Sequence, residues 1–319
     1  MKTFEAITLD KLKEIQPASL KDMGNKIGLY DVDSRIPNLA LMKLSAWHKE
    51  QGDIVEFYSP LFHHTYDKIY ASKIFTFTTN GYLRKSMICG GSGFNLISEL
   101  PYDIEHIYPD YELYDCKYAI GFITRGCIRN CPFCIVPKKE GMIKKNADLD
   151  EFCRNQEYVK LLDNNFLAYK NHIKELQILK ESGKRIDFNQ GLDIRLITKE
   201  NAKLIREIKR WKSLEYRFSF DNLNLERIIR KKTTILRSVG INRAMFFMLI
   251  GFDSTVKEDI KRVEILKELG HIIYPMPYDK SDRYQQVFRR WTKSFSYLSY
   301  SFKDFCKKYG YVDILKKLN

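Results

Sequence analysis

Residues 118–134 read YAIGFITRGCIRNCPFC, an apolar run that leads through Gly126 into cysteines at positions 127, 131 and 134. The apolar part, residues 118–123, predicts a buried β-strand. Three cysteines within eight residues of an intracellular chain favour a metal site over disulfides. A zinc finger or ribbon would need a fourth ligand from a second Cys or His pair, and the sequence shows no such pair. A thioredoxin-type redox site would use only the last two cysteines.

Outward from this motif, strand-like and helix-like patterns alternate along the chain. Apolar runs typical of strands begin near Tyr118, Tyr158, Ile186, Leu214, Ala244 and His271, and the last four intervals are 28, 28, 30 and 27 residues. Amphipathic patterns lie between these runs, and the last of them ends at Gly270. One strand and one helix per repeat predicts a parallel sheet or barrel. Six strands are too few for a closed eight-stranded barrel.

The spacing Cys-x3-Cys-x2-Cys, with Phe133 just before the last cysteine and a strand before the loop, resembles the radical S-adenosylmethionine superfamily. The resemblance covers about residues 117–278 and implies a six-stranded partial (βα)6 TIM-like barrel. It also implies a 4Fe-4S cluster on Cys127, Cys131 and Cys134, with S-adenosylmethionine bound to the open iron. In that family one electron, here expected from a flavodoxin- or ferredoxin-type protein, cleaves the cofactor to methionine and a 5′-deoxyadenosyl radical. The radical abstracts hydrogen from a substrate.

The resemblance places the contacts to S-adenosylmethionine at the ends of the strands, where polar groups of a parallel barrel face the ligand. Asp163 and Asn164 stand where the family often has a Gly-Gly-Glu-like group for the methionine amine, although Asp-Asn-Asn is also a good turn and helix cap. Arg195 is expected to hold the carboxylate, with a salt bridge to Asp187 or Asp193 as the alternative. The full set of expected contacts is Phe133, Asp163, Asn164, Gln190, Arg195, Ser219, Asp221 and Gly251.

The sequence predicts three parts: a small open Rossmann-like α/β domain at 1–115, the barrel at 116–279, and an amphipathic C-terminal helical extension at 280–319. In the first part, strands are expected at 26–33, 54–58, 73–77 and 86–89, with a helix from Leu39 to near Gly52. The tail from Ser281 is expected to form one long helix, because its apolar residues recur every three or four positions.

An α/β domain before such a barrel resembles cobalamin-dependent members of the superfamily and methylthiotransferases. The cobalamin signature Asp-x-His-x-x-Gly falls on residues 31–36, where Asp33 replaces the His and Ile36 replaces the Gly, so cobalamin is an unlikely cofactor. The Gly90 and Gly91 pair leaves cobalamin binding without a protein ligand as an alternative. Methylthiotransferases need three cysteines in this domain, and only Cys89 and Cys116 are present. The subclass therefore stays open.

The chain is basic, with 54 Lys and Arg against 40 Asp and Glu, a formal net charge of +14 and a sequence pI near 9.3. Such a balance attracts polyanions, above all nucleic acid, although a basic surface with no specific partner is an equal alternative. Arg289, Arg290 and Lys293 lie opposite the apolar stripe of the tail and are candidate nucleic-acid contacts.

The longest apolar stretch, residues 244–252, is far shorter than the roughly 20 residues of a membrane-spanning helix. The first residues intersperse charge where a signal peptide needs an apolar run. We therefore expect a cytoplasmic protein without a membrane partner. The main alternative to a radical enzyme is a non-catalytic nucleic-acid-binding protein whose cysteines hold a structural metal.

Overall fold

The computed structural model describes residues 24–211 and 215–316 of the 319-residue chain. Helices and mostly parallel strands alternate along it, so the protein has a mixed α/β fold. The chain divides into two compact units, residues 1–116 and residues 117–319. Within the described residues, no helix combines the length and the apolar character needed to cross a bilayer.

The first unit contains a four-stranded parallel sheet in the order β2-β1-β3-β4. Strand β1 lies between β2 and β3. Its Ile27 and Leu29 are buried and pack in one cluster with Leu41 and Leu44 of the first helix. Asn38 caps that helix by accepting a hydrogen bond from the Leu41 amide. The elements are β1 (Lys26–Asp31), α1 (Leu39–Glu50), β2 (Ile54–Phe57), β3 (Lys68–Ser72), β4 (Ile88–Gly90) and α2 (Tyr102–Glu105).

The prediction of a strand at 73–77 is wrong, because the third strand ends at Ser72 and residues 73–77 form a loop. The side chain of Asp33 accepts hydrogen bonds from the amides of Ile74 and Phe75, at 2.7 and 3.0 Å. A side chain therefore takes the hydrogen bonds that a neighbouring strand would make. Of the two aromatic residues that suggested a strand, Phe77 is 64% exposed and Phe75 is half-buried.

The second unit contains six parallel strands in two separate three-stranded sheets, in the orders β5-β8-β9 and β10-β11-β12. They are β5 (Ala119–Gly121), β8 (Tyr158–Leu161), β9 (Arg185–Phe188), β10 (Arg217–Ser219), β11 (Met245–Ile250) and β12 (Ile272–Pro277). Isolated parallel bridges join Ile186 of β9 to Arg210, and Leu192, which follows β9, to Phe218 of β10. The six predicted strands are present, except that the expected start at Leu214 lies outside the described residues.

Two very short strands, β6 (Thr124–Arg125) and β7 (Lys144–Lys145), pair antiparallel just after β5. They close the base of the segment that carries the three clustered cysteines. The helices of this unit are α3 (Val136–Lys139), α4 (Leu149–Phe152), α5 (His172–Glu181), α6 (Lys199–Glu207), α7 (Glu226–Ser238) and α8 (Val256–Glu268). Capping boxes begin α6 at Thr198 and α8 at Thr255, which fixes where each strand-to-helix connection ends.

The prediction of one long C-terminal helix is wrong. The tail forms three helices, α9 (Arg283–Lys293), α10 (Phe302–Lys308) and α11 (Val312–Lys316). The first one ends where the hydroxyl of Ser294 bonds to the carbonyl of Arg290 and Phe295 adopts a left-handed conformation with φ of +56°. The Trp291 indole then donates to the carbonyl of Tyr300, so the chain after the break folds back on α9. The apolar spacing continues across this break because both helices bury aromatic residues.

Candidate metal centre

The three clustered cysteines lie on one loop, residues 126–135, which has no regular secondary structure before α3. All three thiols are free and half-buried. Gly126 enters the loop with φ of +91°, and a Cβ atom there would lie 2.4 Å from the carbonyl oxygen of Met142. The Cys127 amide donates to the carbonyl of Gly141 at 3.1 Å. The start of the cysteine loop is therefore packed against its return, and only glycine fits at position 126.

Asp163, the first polar residue after β8, holds the chain just before this loop. Its Oδ1 accepts hydrogen bonds from the amide and the hydroxyl of Thr124, at 2.6 and 2.7 Å, and its Oδ2 accepts from the amide of Ile123 at 3.2 Å. Burial raises the pKa of Asp163 to about 6, although these hydrogen bonds oppose the shift. Asp163, expected to contact the methionine amine, is thus engaged by the backbone that leads to the cysteines.

The next two residues continue the same contact toward the cysteines. Asn164 Oδ1 accepts from the amide of Gly126 at 2.9 Å, and Asn165 Nδ2 donates to the sulfur of Cys127 at 3.2 Å. Asn165 is 4% exposed, and its Oδ1 is buried without a hydrogen-bond partner. Three successive residues therefore support successive positions of the loop, from residue 123 to residue 127.

Asn165 is not among the residues expected from the sequence to contact the cofactor. The signal that points to it is strand pairing: β5 and β8 are adjacent and parallel, with Gly121 opposite Leu161. Residues that follow one strand therefore lie beside residues that follow the other. A polar triplet directly after the second strand is placed to bind the loop after the first.

Asp193, after β9, connects a second strand end to the cysteine loop. Arg195 binds it in a bidentate pair, Nε to Oδ1 at 2.6 Å and Nη2 to Oδ2 at 2.9 Å. Arg129, inside the cysteine loop, binds Oδ2 through Nε at 3.1 Å. Burial opposes ionisation of Asp193, but the two guanidinium groups outweigh it and hold its pKa below the ordinary value. Of the two partners considered for Arg195, Asp187 instead pairs with Lys160 and Arg217.

The thiols of Cys131 and Cys134 share one electrostatic environment with Arg195 and Asp221. Burial raises the pKa of both thiols, and the charge of Asp221 raises it further, whereas Arg195 partly offsets the shift at Cys131. Burial also raises the pKa of Asp221, whose Oδ1 accepts from the Leu249 amide at 3.0 Å. These thiols are therefore protonated at neutral pH until a metal ion displaces the protons.

The other expected contacts are only partly brought together. Phe133, in the cysteine loop, packs edge-on against Phe252 with the ring centres 5.5 Å apart. Gly251, beside Phe252, has φ of +74°, and a Cβ atom there would lie 2.1 Å from the side-chain nitrogen Nε2 of Gln285. Gln190 is exposed and Ser219 is half-buried at the end of β10. Among the described residues, no hydrogen bond or ring contact joins either of these two to the cysteine loop.

The three candidate nucleic-acid contacts of the tail are exposed on α9, as their spacing predicts. Arg290 donates to the hydroxyl of Tyr311 at 2.6 Å, and the amine of Lys293 lies 5.1 Å from the ring centre of Tyr274. Two of the three cations are therefore in contact with tyrosines of their own unit.

The donor set of the loop fits an iron–sulfur cluster in its chemistry, since it offers three thiols and an amide that donates to one of the sulfurs. As placed, no group of three or more Cys, His, Asp or Glu side chains in residues 24–211 and 215–316 is arranged to hold a metal ion. Binding therefore has to draw the three thiols of this irregular loop together.

A groove of about 990 Å³ lies on the outer helices α5 and α6, lined by residues such as Lys174, Gln177 and Lys203. Its lining includes none of the cysteine-loop residues, so it does not mark the candidate metal centre. In the comparisons with known proteins, no protein-family model matches the chain and no curated protein matches it.

Proposed function

We propose that the protein is a radical S-adenosylmethionine enzyme that uses a 4Fe-4S cluster on Cys127, Cys131 and Cys134. One observation carries the proposal: the loop that bears all three thiols follows the first of six parallel strands and is hydrogen-bonded to residues at the ends of the second and third. A metal site whose only role was structural would not need polar residues from several strand ends around it.

The proposed fold of the second unit is a partial (βα)6 barrel. Its support is the parallel direction of all six strands and the helices that separate most of them. A parallel bridge between Leu192, which follows β9, and Phe218 of β10 supports placing the two three-stranded sheets side by side. In such an arrangement the loops that follow the strands lie at one edge of the sheet. The cysteine loop and its hydrogen-bond partners are all in such loops.

A reduced cluster on the three cysteines would supply the electron that cleaves S-adenosylmethionine to methionine and a 5′-deoxyadenosyl radical, which then abstracts hydrogen from the substrate. The chain itself holds the ligand loop in place. Asp163 and Asn164 bind its entry, Asn165 binds the first ligand sulfur, and Arg129 ties its middle to Asp193.

Arg195 is the residue we propose for the carboxylate of S-adenosylmethionine. Two of its five N–H donors bind Asp193, which leaves donors on the same guanidinium group for a second carboxylate. The position of Arg195 is fixed by that pair, and its charge reaches the thiol of Cys131. Asp221, Gly251 and Phe133 are proposed to line the rest of the cofactor site. Gln190 and Ser219 have only the sequence resemblance in their support.

We do not propose cobalamin as a cofactor of the first unit. Asp33 stands at the position of the cobalt ligand, and both of its carboxylate oxygens accept hydrogen bonds from the loop after β3. Of the Gly90 and Gly91 pair, Gly91 approaches the backbone of Lys73 closely, whereas a Cβ atom at Gly90 would meet nothing within 4 Å. The proposed partners are a flavodoxin- or ferredoxin-type reductant and a polyanionic substrate, in a cytoplasm that keeps thiols reduced.

Anaerobic reconstitution tests this function. The protein should bind about four iron and four sulfide per chain, as a cubane cluster requires. Cys127→Ala, Cys131→Ala or Cys134→Ala should each abolish the cluster. Cys89→Ala and Cys116→Ala are matched controls, because these thiols are also half-buried but lie outside the loop.

The reaction has its own readout. After reduction with dithionite, the reconstituted protein should release 5′-deoxyadenosine from S-adenosylmethionine, detected by chromatography. A full cluster in Cys131→Ala would overturn the ligand assignment. Bound zinc in place of iron and sulfide would favour the structural-metal alternative.

A further inference from the structure

The loop after β3 lies at the carboxyl edge of the first unit's sheet. In the sheet order β2-β1-β3-β4, the connection after β1 leads to β2 on one side and the connection after β3 leads to β4 on the other, so the direction reverses between β1 and β3. In open parallel sheets, ligands bind at the carboxyl ends of the strands where this reversal occurs. Residues 32–37 and 73–87 follow the two strands at that point.

This loop carries only positive charge. Residues 68–98 contain no Asp or Glu, whereas Arg84 and Lys85 are both exposed and Arg35, from the loop after β1, is exposed as well. The amine of Lys73 is buried and bonds to Asn80, so it belongs to the structure of the loop. The nearest carboxylate in sequence to Arg35 is Asp33, whose two oxygens are already bonded to the amides of Ile74 and Phe75. Exposed cations attract phosphates.

Aromatic rings accompany these cations. The rings of Phe75 and Phe77 stack with their centres 5.2 Å apart and their planes at 26°. Arg35 lies 5.9 Å from the ring centre of Phe75. Phe77 and Tyr82 are each 64% exposed, so both rings are accessible to a ligand. Proteins that bind single-stranded nucleic acid use exposed aromatic rings to stack the bases and nearby cations to contact the phosphates.

The loop is held in place by specific hydrogen bonds. Asp33 binds the amides of Ile74 and Phe75 through its two oxygens, and the hydroxyl of Ser92 donates to the carbonyl of Ile74 at 2.8 Å. The amide of Tyr82 donates to the hydroxyl of Tyr30 at 3.2 Å. The rings are therefore presented on a fixed backbone, which reduces the ordering cost of binding.

We propose that this surface, formed by Arg35, Phe77, Tyr82, Arg84 and Lys85, binds single-stranded nucleic acid. The bases stack on the exposed rings and the phosphates contact the three cations. The inference extends the proposed function by giving its polyanionic partner a surface and a strandedness, and it needs neither the cluster nor the reaction.

Binding of a labelled oligothymidylate of about 12 nucleotides to the full-length protein, followed by fluorescence anisotropy, tests the proposal. Arg84→Glu should weaken binding about fivefold or more and reduce the slope of log affinity against log salt between about 50 and 200 mM. Lys68→Glu is the matched control, with the same charge change. Lys68 is exposed at the opposite end of β3, roughly 17 Å along the strand and beyond the Debye length, so its variant should bind within about twofold of wild type.

The rings have a separate test. Phe77→Ala and Tyr82→Ala should each weaken single-strand binding about tenfold, whereas Phe77→Tyr and Tyr82→Phe should retain it. Phe77 also stacks on Phe75, so the unfolding temperature of each Ala variant is measured beside its binding, and binding is compared between folded proteins. A duplex of the same sequence hides its bases, so its weaker binding should not depend on the rings.

Three results would each overturn the proposal: no binding at low salt, wild-type binding by both Ala variants, or equal weakening by Arg84→Glu and Lys68→Glu. Tighter binding of the duplex would also contradict it. Iron content and 5′-deoxyadenosine release are measured on the same Arg84→Glu protein and should equal wild type. Oligonucleotide binding by a protein that fails to assemble a cluster would support this surface while refuting the proposed function.

Discussion

The side-chain amide of Asn165 donates a hydrogen bond to the sulfur of Cys127 across 3.2 Å, while the carbonyl oxygen of the same side chain is buried without a partner. An unsatisfied buried acceptor costs about 1–3 kcal/mol. The orientation of Asn165 that bonds the sulfur therefore lowers the stability of the fold, because it leaves Oδ1 unsatisfied. This relationship makes Asn165 a positioning residue for the candidate metal centre.

We predict that Asn165→Ala weakens the hold on the cluster. Loss of an outer hydrogen bond to a metal ligand typically costs about 10- to 100-fold in metal affinity. The measurement is the chelator concentration that removes half of the iron from reconstituted protein, together with the reduction potential of the cluster. Asn189→Ala is the control, since Asn189 also follows a strand but contacts Lys160 and not a thiol. Equal iron retention in wild type and Asn165→Ala would refute the positioning role.

Asp163 should make stability depend on pH in a defined direction. Its pKa is raised from 3.8 to about 6 in the folded protein, so the folded state binds the extra proton between these values. Its contribution to the free energy of unfolding is full below about pH 4 and is lost as the pH rises through about 6, an effect of about 3 kcal/mol. Asp163→Asn cannot titrate at this position. The free energy of unfolding of wild type in urea, relative to that of Asp163→Asn, should therefore fall by about 3 kcal/mol from pH 4 to pH 7. A difference that is constant with pH would contradict the assigned pKa.

His271 should act in the opposite direction. Burial, with a smaller effect from Arg237, lowers its pKa from 6.5 to about 4, and its Nδ1 accepts a hydrogen bond from the Ala244 amide. The neutral ring is favoured in the fold, so its contribution is present above about pH 6.5 and is lost as the pH falls toward 4, by about 3 kcal/mol. His271→Asn keeps an acceptor near Nδ1 and removes the titration. Its destabilisation relative to wild type should therefore be largest near neutral pH, and a maximum at pH 4 would disprove the assignment.

Arg195→Ala should weaken the binding of S-adenosylmethionine and leave the iron content of the reconstituted protein unchanged, as measured by equilibrium dialysis and iron analysis. Arg195→Lys should not restore binding, because an ammonium group cannot form the bidentate pair with Asp193 that fixes the side chain. Arg185→Ala is the control, since that side chain pairs with Glu157 at the other end of β9. Cofactor binding that is unchanged in Arg195→Ala would show that the carboxylate lies elsewhere.

Asp163→Ala should behave differently from Arg195→Ala. Asp163 holds Ile123 and Thr124, so its removal releases the entry of the cysteine loop. We expect a lower iron content in this variant, in addition to any loss of cofactor binding. A full iron content with weakened cofactor binding would instead return Asp163 to the amine contact that the sequence suggested.

The strands of the second unit were predictable because each lies in a short apolar stretch, and the near-constant spacing of these stretches repeats the signal. The loop at 73–77 was not predictable from its own residues. Its apolar and aromatic side chains resemble a strand, and only the distant Asp33 takes its backbone amides out of the sheet. The tail was mistaken for one helix because periodicity reports which face is buried and not whether the backbone continues through Phe295.

The site was predictable to a similar extent. The sequence predicted three candidate ligands close together, and the structure places Cys127, Cys131 and Cys134 on one loop. Asn165 and Asp193 act across strand ends, and their roles depend on which strands are neighbours. An Arg at a strand end offers the same donors to a cofactor or to a nearby Asp, and the sequence does not rank the two.

The antiparallel pairing of Thr124–Arg125 with Lys144–Lys145 has a consequence for binding of the proposed cluster. The chain between these two short strands is a loop whose ends are already paired in the fold. The entropy cost of closing the loop is therefore not part of the free energy of metal binding. Binding then orders only the interior of the loop. Loss of the metal should therefore release the three thiols to oxidation or exchange while the six strands keep their fold.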